Sequence, residues 1–129
     1  MHNGLGYPEV EEVIELNILV LGLIRVKKKD SHKILSTAKI ASVIDECRSI
    51  GGSIYLKAAV LMRGLSRAHA FASGNRRTAF LAGKYFVVKN GGRFSIPDDP
   101  NYAVILRRIR EGRYSDHEIA EWISNGTID

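Results

Sequence analysis

One segment near the middle of the chain constrains the fold more than any other. Residues 69–80 read His-Ala-Phe-Ala-Ser-Gly-Asn-Arg-Arg-Thr-Ala-Phe. Apolar residues recur at helical spacing on both sides of it, which predicts one helix over about Ile54–Ala68 and another over about Asn75–Lys89. Gly74 and Asn75 belong to the residue types that most readily adopt unusual backbone angles. The sequence therefore predicts two helices joined by a tight loop at 69–74.

Further helices are predicted on both sides of this pair. The first runs from about Pro8 to Arg25, with glutamates in its first turn and the basic stretch Lys27–Lys29 at or just past its end, as the helix dipole favours. A second helix is expected to end at Gly51-Gly52. The residues expected to form buried helical faces are Ile40, Val43, Ile44, Cys47, Ala58, Leu61, Met62, Leu65, Ala79, Gly83, Phe86, Val87, Val104, Ile105, Ile109, Ile119, Trp122 and Ile123.

The last third of the chain predicts one extended stretch and two short helices. Residues 93–96 are expected to be extended, with room for one short strand. Asp98 or Asp99 is expected to cap a fifth helix that has Pro100 near its first turn. Ser115 and Glu118 have the spacing of a capping box at the start of the last helix.

Together these elements predict an all-α fold, a compact bundle of about six helices. The 129 residues contain no internal repeat and no linker rich in Gly, Pro and Ser, so we expect one domain over residues 1–129. A single cysteine, Cys47, excludes an internal disulfide and a zinc site built from several cysteines. The longest apolar run, Ile18–Ile24, is too short to cross a bilayer. With no signal peptide recognisable at the start, we expect a cytoplasmic protein without a membrane partner.

Charge is distributed unevenly along the chain. The net charge is +5, but residues 57–113 carry twelve Lys/Arg and three Asp/Glu, a local net charge of +9. Residues 114–129 carry four acids and no Lys or Arg. The basic half indicates either an anionic ligand or a solvated basic surface, and charge alone does not choose between them.

The loop and the helix after it have the chemistry of a phosphate site. The first N–H groups of a helix have no partner within the helix, and the dipole adds positive potential there. Arg76 and Arg77 stand in the same turn, where the dipole disfavours cations, so an anion is expected to compensate. His69, just ahead of the loop, is placed to take a proton from a hydroxyl that approaches a bound phosphate.

Each of these residues also has a structural explanation when it is taken alone. His69 could be an ordinary helix-end residue, Phe71 is expected to anchor the loop in the core, and Gly74-Asn75 could form only a turn. The ordered set His-x-Phe-x-x-Gly-Asn-x-Arg is far more specific than any of its members.

This string resembles the signature of the Fic/Doc (Fido) family, usually written His-x-Phe-x-(Asp/Glu)-Gly-Asn-x-Arg. The continuation Arg76-Arg77-Thr78-Ala79 is closest to the Doc-like, or death-on-curing, branch. The resemblance extends to the helix before the motif, to the Asn-Gly-Gly ending of the helix after it, and to Glu111-Gly112-Arg113. It is strongest over residues 54–124.

The resemblance implies an all-α enzyme that moves part of a nucleoside triphosphate, ATP or another, to a Ser, Thr or Tyr hydroxyl of a protein. It implies His69 as the general base, and Gly74 and Asn75 with nearby N–H groups as the anion hole. Arg77 would hold the phosphates that are not transferred, and Arg76 fills a variable position. Phosphoryl or adenylyl transfer of this toxin-type kind also implies a possible acidic antitoxin as partner.

Ser73 departs from the family pattern, because the family usually has Asp or Glu there to hold Mg²⁺. A serine hydroxyl is neutral and binds a hard cation weakly, so bound Mg²⁺ is expected to be weakened. Asp98 or Asp99 could substitute from elsewhere. Ser73 also supports the alternative that the chain is a degenerate, catalytically weak Fido domain that binds nucleotide or a protein partner.

Two further hypotheses are open. The family is often inhibited by a helix whose glutamate engages the motif arginine, and Ser42–Cys47 matches the first part of that pattern, with Glu46 as the acid. The third function class is a small nucleic-acid-binding helical domain, suggested by the basic half. It is disfavoured because aromatic residues do not alternate with the basic ones as single-strand binding requires.

Overall fold

A computed structural model describes residues 4–23 and 33–129. In these ranges all the regular secondary structure is α-helical. There is one isolated antiparallel bridge and no strand. The prediction of an all-α fold with about six helices is confirmed. The helices are α1 (Val10–Leu23), α2 (Thr37–Ser49), α3 (Ile54–Ala68), α4 (Asn75–Lys89), α5 (Tyr102–Arg110) and α6 (Asp116–Asn125).

Helix α3 lies at the centre and packs against α2, α4, α5 and α6. Its predicted apolar face is buried, since Ala58, Leu61 and Met62 have no exposed surface. Helix α4 lies close to α3 at Gly83, where an added methyl carbon would lie 2.9 Å from Met62 Cε. The small residue therefore sets the distance between the two helices that frame the loop at 69–74.

Most of the predicted helix boundaries are confirmed. Helix α3 begins after Ser53, whose hydroxyl accepts a hydrogen bond from Leu56 N–H. Helix α6 begins with the predicted capping box of Ser115 and Glu118. Both caps act through backbone groups three residues away; the sequence predicted the capping box at Ser115, whereas the cap at Ser53 was not predicted.

Three predictions differ from the structure or lie outside the part it describes. Helix α5 begins at Tyr102, so capping by an aspartate was wrong; Asp99 Oδ1 instead accepts from Asn101 N–H, 2.8 Å away, in a turn before the helix. Residues 93–96 form no strand, and Ser95 N–H donates to the Ile123 carbonyl. Arg25 and Lys27–Lys29 lie outside the described residues.

A buried lysine closes the C-terminal end of α2. Lys57 is only 3% exposed, and its ammonium donates to the carbonyls of Cys47, Arg48 and Ile50 at 2.6–3.3 Å. These carbonyls have no partner within the helix, so the cation stabilises the helix end. Burial raises the pKa of the Cys47 thiol to about 11, which leaves it protonated and unsuited to act as a nucleophile.

None of the helices in 4–23 and 33–129 combines the length and the apolar character needed to span a membrane.

Candidate active site

The site begins at His69, where α3 ends in a left-handed backbone conformation. His69 has φ 51° and ψ 49°, and it is the one residue other than glycine with a positive φ in the described ranges. Such a conformation is uncommon for a residue with a side chain and occurs often at functional sites. The turn leaves the imidazole exposed at the end of α3 while the chain passes into the loop.

Phe71 fixes the loop, as the sequence predicts. Its side chain is 2% exposed within the core, and its backbone pairs with Ile34 in the isolated antiparallel bridge. The Asn75 side chain clamps the same residue: Oδ1 accepts from Phe71 N–H at 3.0 Å, and Nδ2 donates to the Phe71 carbonyl at 2.8 Å. The Asn75 side chain therefore shapes the loop, and its backbone N–H remains available to an anion.

Gly74 turns the chain into α4. Its φ is +78°, and an added methyl carbon would lie 3.2 Å from Asn17 Nδ2 and 3.3 Å from Leu21 Cδ2. Both the backbone conformation and the contact with α1 therefore favour glycine at this position.

Asn17 of α1 holds the loop through side-chain hydrogen bonds. The sequence analysis did not identify this residue. The residue is fully buried, and its Nδ2 donates to the Ser73 carbonyl at 2.9 Å and to Thr78 Oγ1 at 3.1 Å. It thus joins the last residues of the loop to the first turn of α4. A buried asparagine within an apolar helix was a signal that could have identified it.

Replacing Asn17 with leucine is expected to lower the free energy of unfolding by about 2–3 kcal/mol, because the part-buried Ser73 carbonyl and the buried Thr78 hydroxyl lose their donor. Urea denaturation measures the change. Glu15→Gln, on the exposed side of the same helix, is the control and should change stability by less than about 0.5 kcal/mol. Equal midpoints for the two variants would contradict a supporting role for Asn17.

The start of α4 has the free donors and the charge of an anion site. Thr78 N–H bonds to the Gly74 carbonyl at 2.9 Å, whereas the N–H groups of Asn75, Arg76 and Arg77 bond to no acceptor among the described residues. Arg76 is half-buried and Arg77 is exposed, and neither forms an ion pair within those ranges. Donors and cations without partners at a helix N-terminus favour a bound phosphate.

A cavity of about 280 Å³ opens beside the first two turns of α4. Arg77 and Lys84 line it together with a carboxylate, Asp98. Its aromatic wall is formed by Phe80, whose ring centroid lies 5.3 Å from that of Phe94 and 4.7 Å from that of Tyr102. An apolar wall with a few charged groups at its edge is typical of a pocket for a planar, charged ligand.

Glu46 pairs with Arg63 of α3, so the open hypothesis that it engages a motif arginine finds no support in the described residues. Glu46 Oε2 lies 2.8 Å from Arg63 Nη2, and Asp116 Oδ1 lies 2.9 Å from Arg63 Nε. Hydrogen bonds from Arg63 to Asp116 and then Glu46 raise the pKa of the guanidinium, which stays charged. Glu46 thus belongs to a link between α2, α3 and α6.

The loop offers a poor set of ligands for Mg²⁺. Ser73 contributes a hydroxyl where a carboxylate would be needed, and no cluster of three or more His, Cys, Asp or Glu suited to a metal is found in residues 4–23 and 33–129. A hard cation prefers carboxylate oxygens. The residues present therefore fit a nucleotide phosphate better than they fit a metal ion.

In the described residues, the fold is helical and one short loop joins the exposed His69 to a helix start with unpartnered N–H groups and two arginines. In a comparison with models of protein families, residues 9–87 match the Fic/DOC family, and the chain belongs to that family. Membership indicates a nucleotide-transferring function in general, with proteins as substrates, and does not separate the Doc-like branch from the others. A search of the curated proteins found no match.

Proposed function

We propose that the chain is a Doc-like, toxin-type transferase that moves a phosphoryl or adenylyl group from ATP to a Ser, Thr or Tyr hydroxyl of a protein. The observation that carries the proposal is the start of α4, where three backbone N–H groups and two arginines lack partners among the described residues. His69 at the other end of the same loop adds a base. Transfer of this kind depends chiefly on positioning and on neutralising charge.

The nucleotide is proposed to bind along α4. Its phosphates would accept hydrogen bonds from the N–H groups of Asn75, Arg76 and Arg77, with Gly74 allowing close approach. Arg77 would hold the phosphates that are not transferred, because its guanidinium stands in the same turn and lines the cavity. The nucleoside would lie in that cavity against Phe80, whose ring offers a stacking surface.

His69 is proposed to act as the general base. Its neutral imidazole would take the proton of the substrate hydroxyl as the hydroxyl oxygen bonds to phosphorus. The bond from that phosphorus to the leaving group breaks in the same step. ADP leaves if the terminal phosphoryl is transferred, and pyrophosphate leaves if the adenylyl group is transferred.

A degenerate Fido domain, which binds nucleotide or a protein partner without efficient transfer, is the second candidate. Ser73 favours it, because the loop lacks the acid that would hold Mg²⁺. For control of the activity we propose a separate acidic antitoxin, since Glu46 is already paired with Arg63.

Purified protein incubated with cell lysate and ATP labelled on either the α- or the γ-phosphate tests the proposal. Label from the α-phosphate on a protein means adenylyl transfer, and label from the γ-phosphate means phosphoryl transfer. No transfer of either label, together with intact ATP binding, would favour the degenerate domain.

Ser73→Asp is expected to raise transfer activity and to lower the Mg²⁺ concentration needed for half-maximal rate. A carboxylate supplies a full negative charge where a hydroxyl supplies only a dipole. The new charge also lies beside a helix N-terminus, where it is favoured by roughly 0.3–1 kcal/mol. Rates measured over a Mg²⁺ titration check this, with Ser73→Asn as a neutral control. A folded variant with unchanged rate and Mg²⁺ dependence would contradict the proposed metal role of this position.

A further inference from the structure

Five arginines lie in the last turns of α3 and α5 and in the turn that joins α5 to α6. Helix α3 ends against this turn: a methyl carbon added at Gly112 would lie 3.5 Å from Arg67 Nη1. Arg113 N–H donates to the Arg108 carbonyl at 3.0 Å, so the turn folds back on the end of α5. We call this group the arginine surface; its members are Arg67, Arg107, Arg108, Arg110 and Arg113.

Most of the charge on the arginine surface is not neutralised. Arg113 Nε lies 3.1 Å from Glu111 Oε1, and Arg108 Nη1 donates to the Tyr114 hydroxyl at 3.4 Å. Arg67, Arg107 and Arg110 are exposed and form no ion pair with any residue in the described ranges. The negative ends of the α3 and α5 dipoles stabilise them, yet three guanidinium groups stay available to an anion.

Two members of the arginine surface, Arg110 and Arg67, lie close along the chain to residues of the candidate active site. Tyr102 and Leu106 of α5 line the cavity beside α4, and Arg110 follows Leu106 by one helical turn on the same face. On the other side, Arg67 precedes His69 by two residues along the chain. A substrate protein whose hydroxyl reaches His69 would therefore place its neighbouring residues near these arginines.

We propose that the arginine surface binds Asp or Glu residues flanking the hydroxyl that is modified, so that the substrate class is an acidic protein segment. The inference rests on the proposed transfer to a protein hydroxyl. The three arginines of α5 lie within one helical turn, roughly 4.5 Å along the axis, which matches one or two residues of an extended peptide. The one aromatic residue within the turn, Tyr114, is half-buried and hydrogen-bonded to the Asp129 carbonyl, so it is poorly placed to stack on a nucleic-acid base.

A labelled peptide with a serine flanked by glutamates tests the proposal by fluorescence anisotropy without nucleotide. The same peptide with glutamines measures binding without charge. The test variants are Arg110→Glu and Arg67→Glu, which lie on different helices. Arg93→Glu, an exposed arginine beyond the far end of α4, has the same change in charge and serves as the control.

We expect the glutamate peptide to bind roughly tenfold more weakly to each test variant and within about twofold of normal to the control. Circular dichroism checks that all three variants are folded. Equal binding of the two peptides, equal loss in the control, or binding of a single-stranded oligonucleotide in place of the peptide would overturn the proposal. The assay omits nucleotide, so it measures peptide binding separately from transfer. A failure of the transfer assay would therefore not change the outcome of this binding test.

Discussion

Replacing His69 with alanine is expected to reduce transfer by roughly 10²–10⁴-fold, the usual effect of removing a general base. Nucleotide affinity should change little, because the proposed phosphate donors belong to the first turn of α4 and not to His69. The measurement is the initial rate of label transfer from ATP, with calorimetric binding of ATP on the same preparation.

The backbone at His69 calls for a second variant. Alanine is strained at φ 51°, whereas asparagine tolerates the left-handed region and lacks a basic nitrogen. His69→Asn should therefore lose the same activity with a smaller loss of stability. His117→Ala, at an exposed position on α6, is the control and should keep full activity. If activity and melting temperature fall together in both His69 variants, the residue is structural.

Replacing Arg77 with alanine is expected to weaken ATP binding by roughly 1.5–3 kcal/mol, or about tenfold to a hundredfold, through loss of charge-assisted hydrogen bonds to phosphate. Arg77 forms no ion pair within the described residues, so its removal breaks no internal pair. Stability should therefore stay within about 0.5 kcal/mol of the parent protein. Isothermal calorimetry with ATP measures the affinity, and urea denaturation the stability.

The matched control for Arg77 is Arg93→Ala. Arg93 follows the C-terminal end of α4 and is not among the residues that line the cavity, and its N–H donates to the Tyr55 hydroxyl at 3.1 Å. The Arg93→Ala substitution removes one positive charge from the basic half of the chain, as Arg77→Ala does. Equal losses of affinity in both variants would indicate a general electrostatic effect and contradict a specific clamp at Arg77.

Sequence predicted those parts of the fold that depend on neighbouring residues. The bounds of α3 and α4 follow from local periodicity and, at the end of α4, from the stop signal Gly91-Gly92. The start of α5 was wrong because Asp99 bonds to Asn101 N–H within a turn, a competing use of the same carboxylate that spacing alone does not separate from a cap.

In the candidate site, the sequence revealed the contiguous motif, but it did not reveal the distant residues that contact the motif in the folded chain. His69, Phe71 and Arg77 lie within nine residues, so one local pattern contains them all. Asn17 reaches Ser73 across 56 positions, and Asp98 shares a cavity with Arg77 only through packing of α4 against the segment before α5. The clamp from Asn75 to Phe71 also needed coordinates, since the family resemblance implied only a role for Asn75 in the anion hole.

A crystal structure with bound ATP or its non-hydrolysable analogue tests whether a nucleotide phosphate binds at the start of α4. Phosphate oxygens should then lie within hydrogen-bond distance of the N–H groups of Asn75, Arg76 and Arg77, with the nucleoside beside Phe80. Nucleotide density only at distant surface sites, with these N–H groups bonded to water alone, would contradict it.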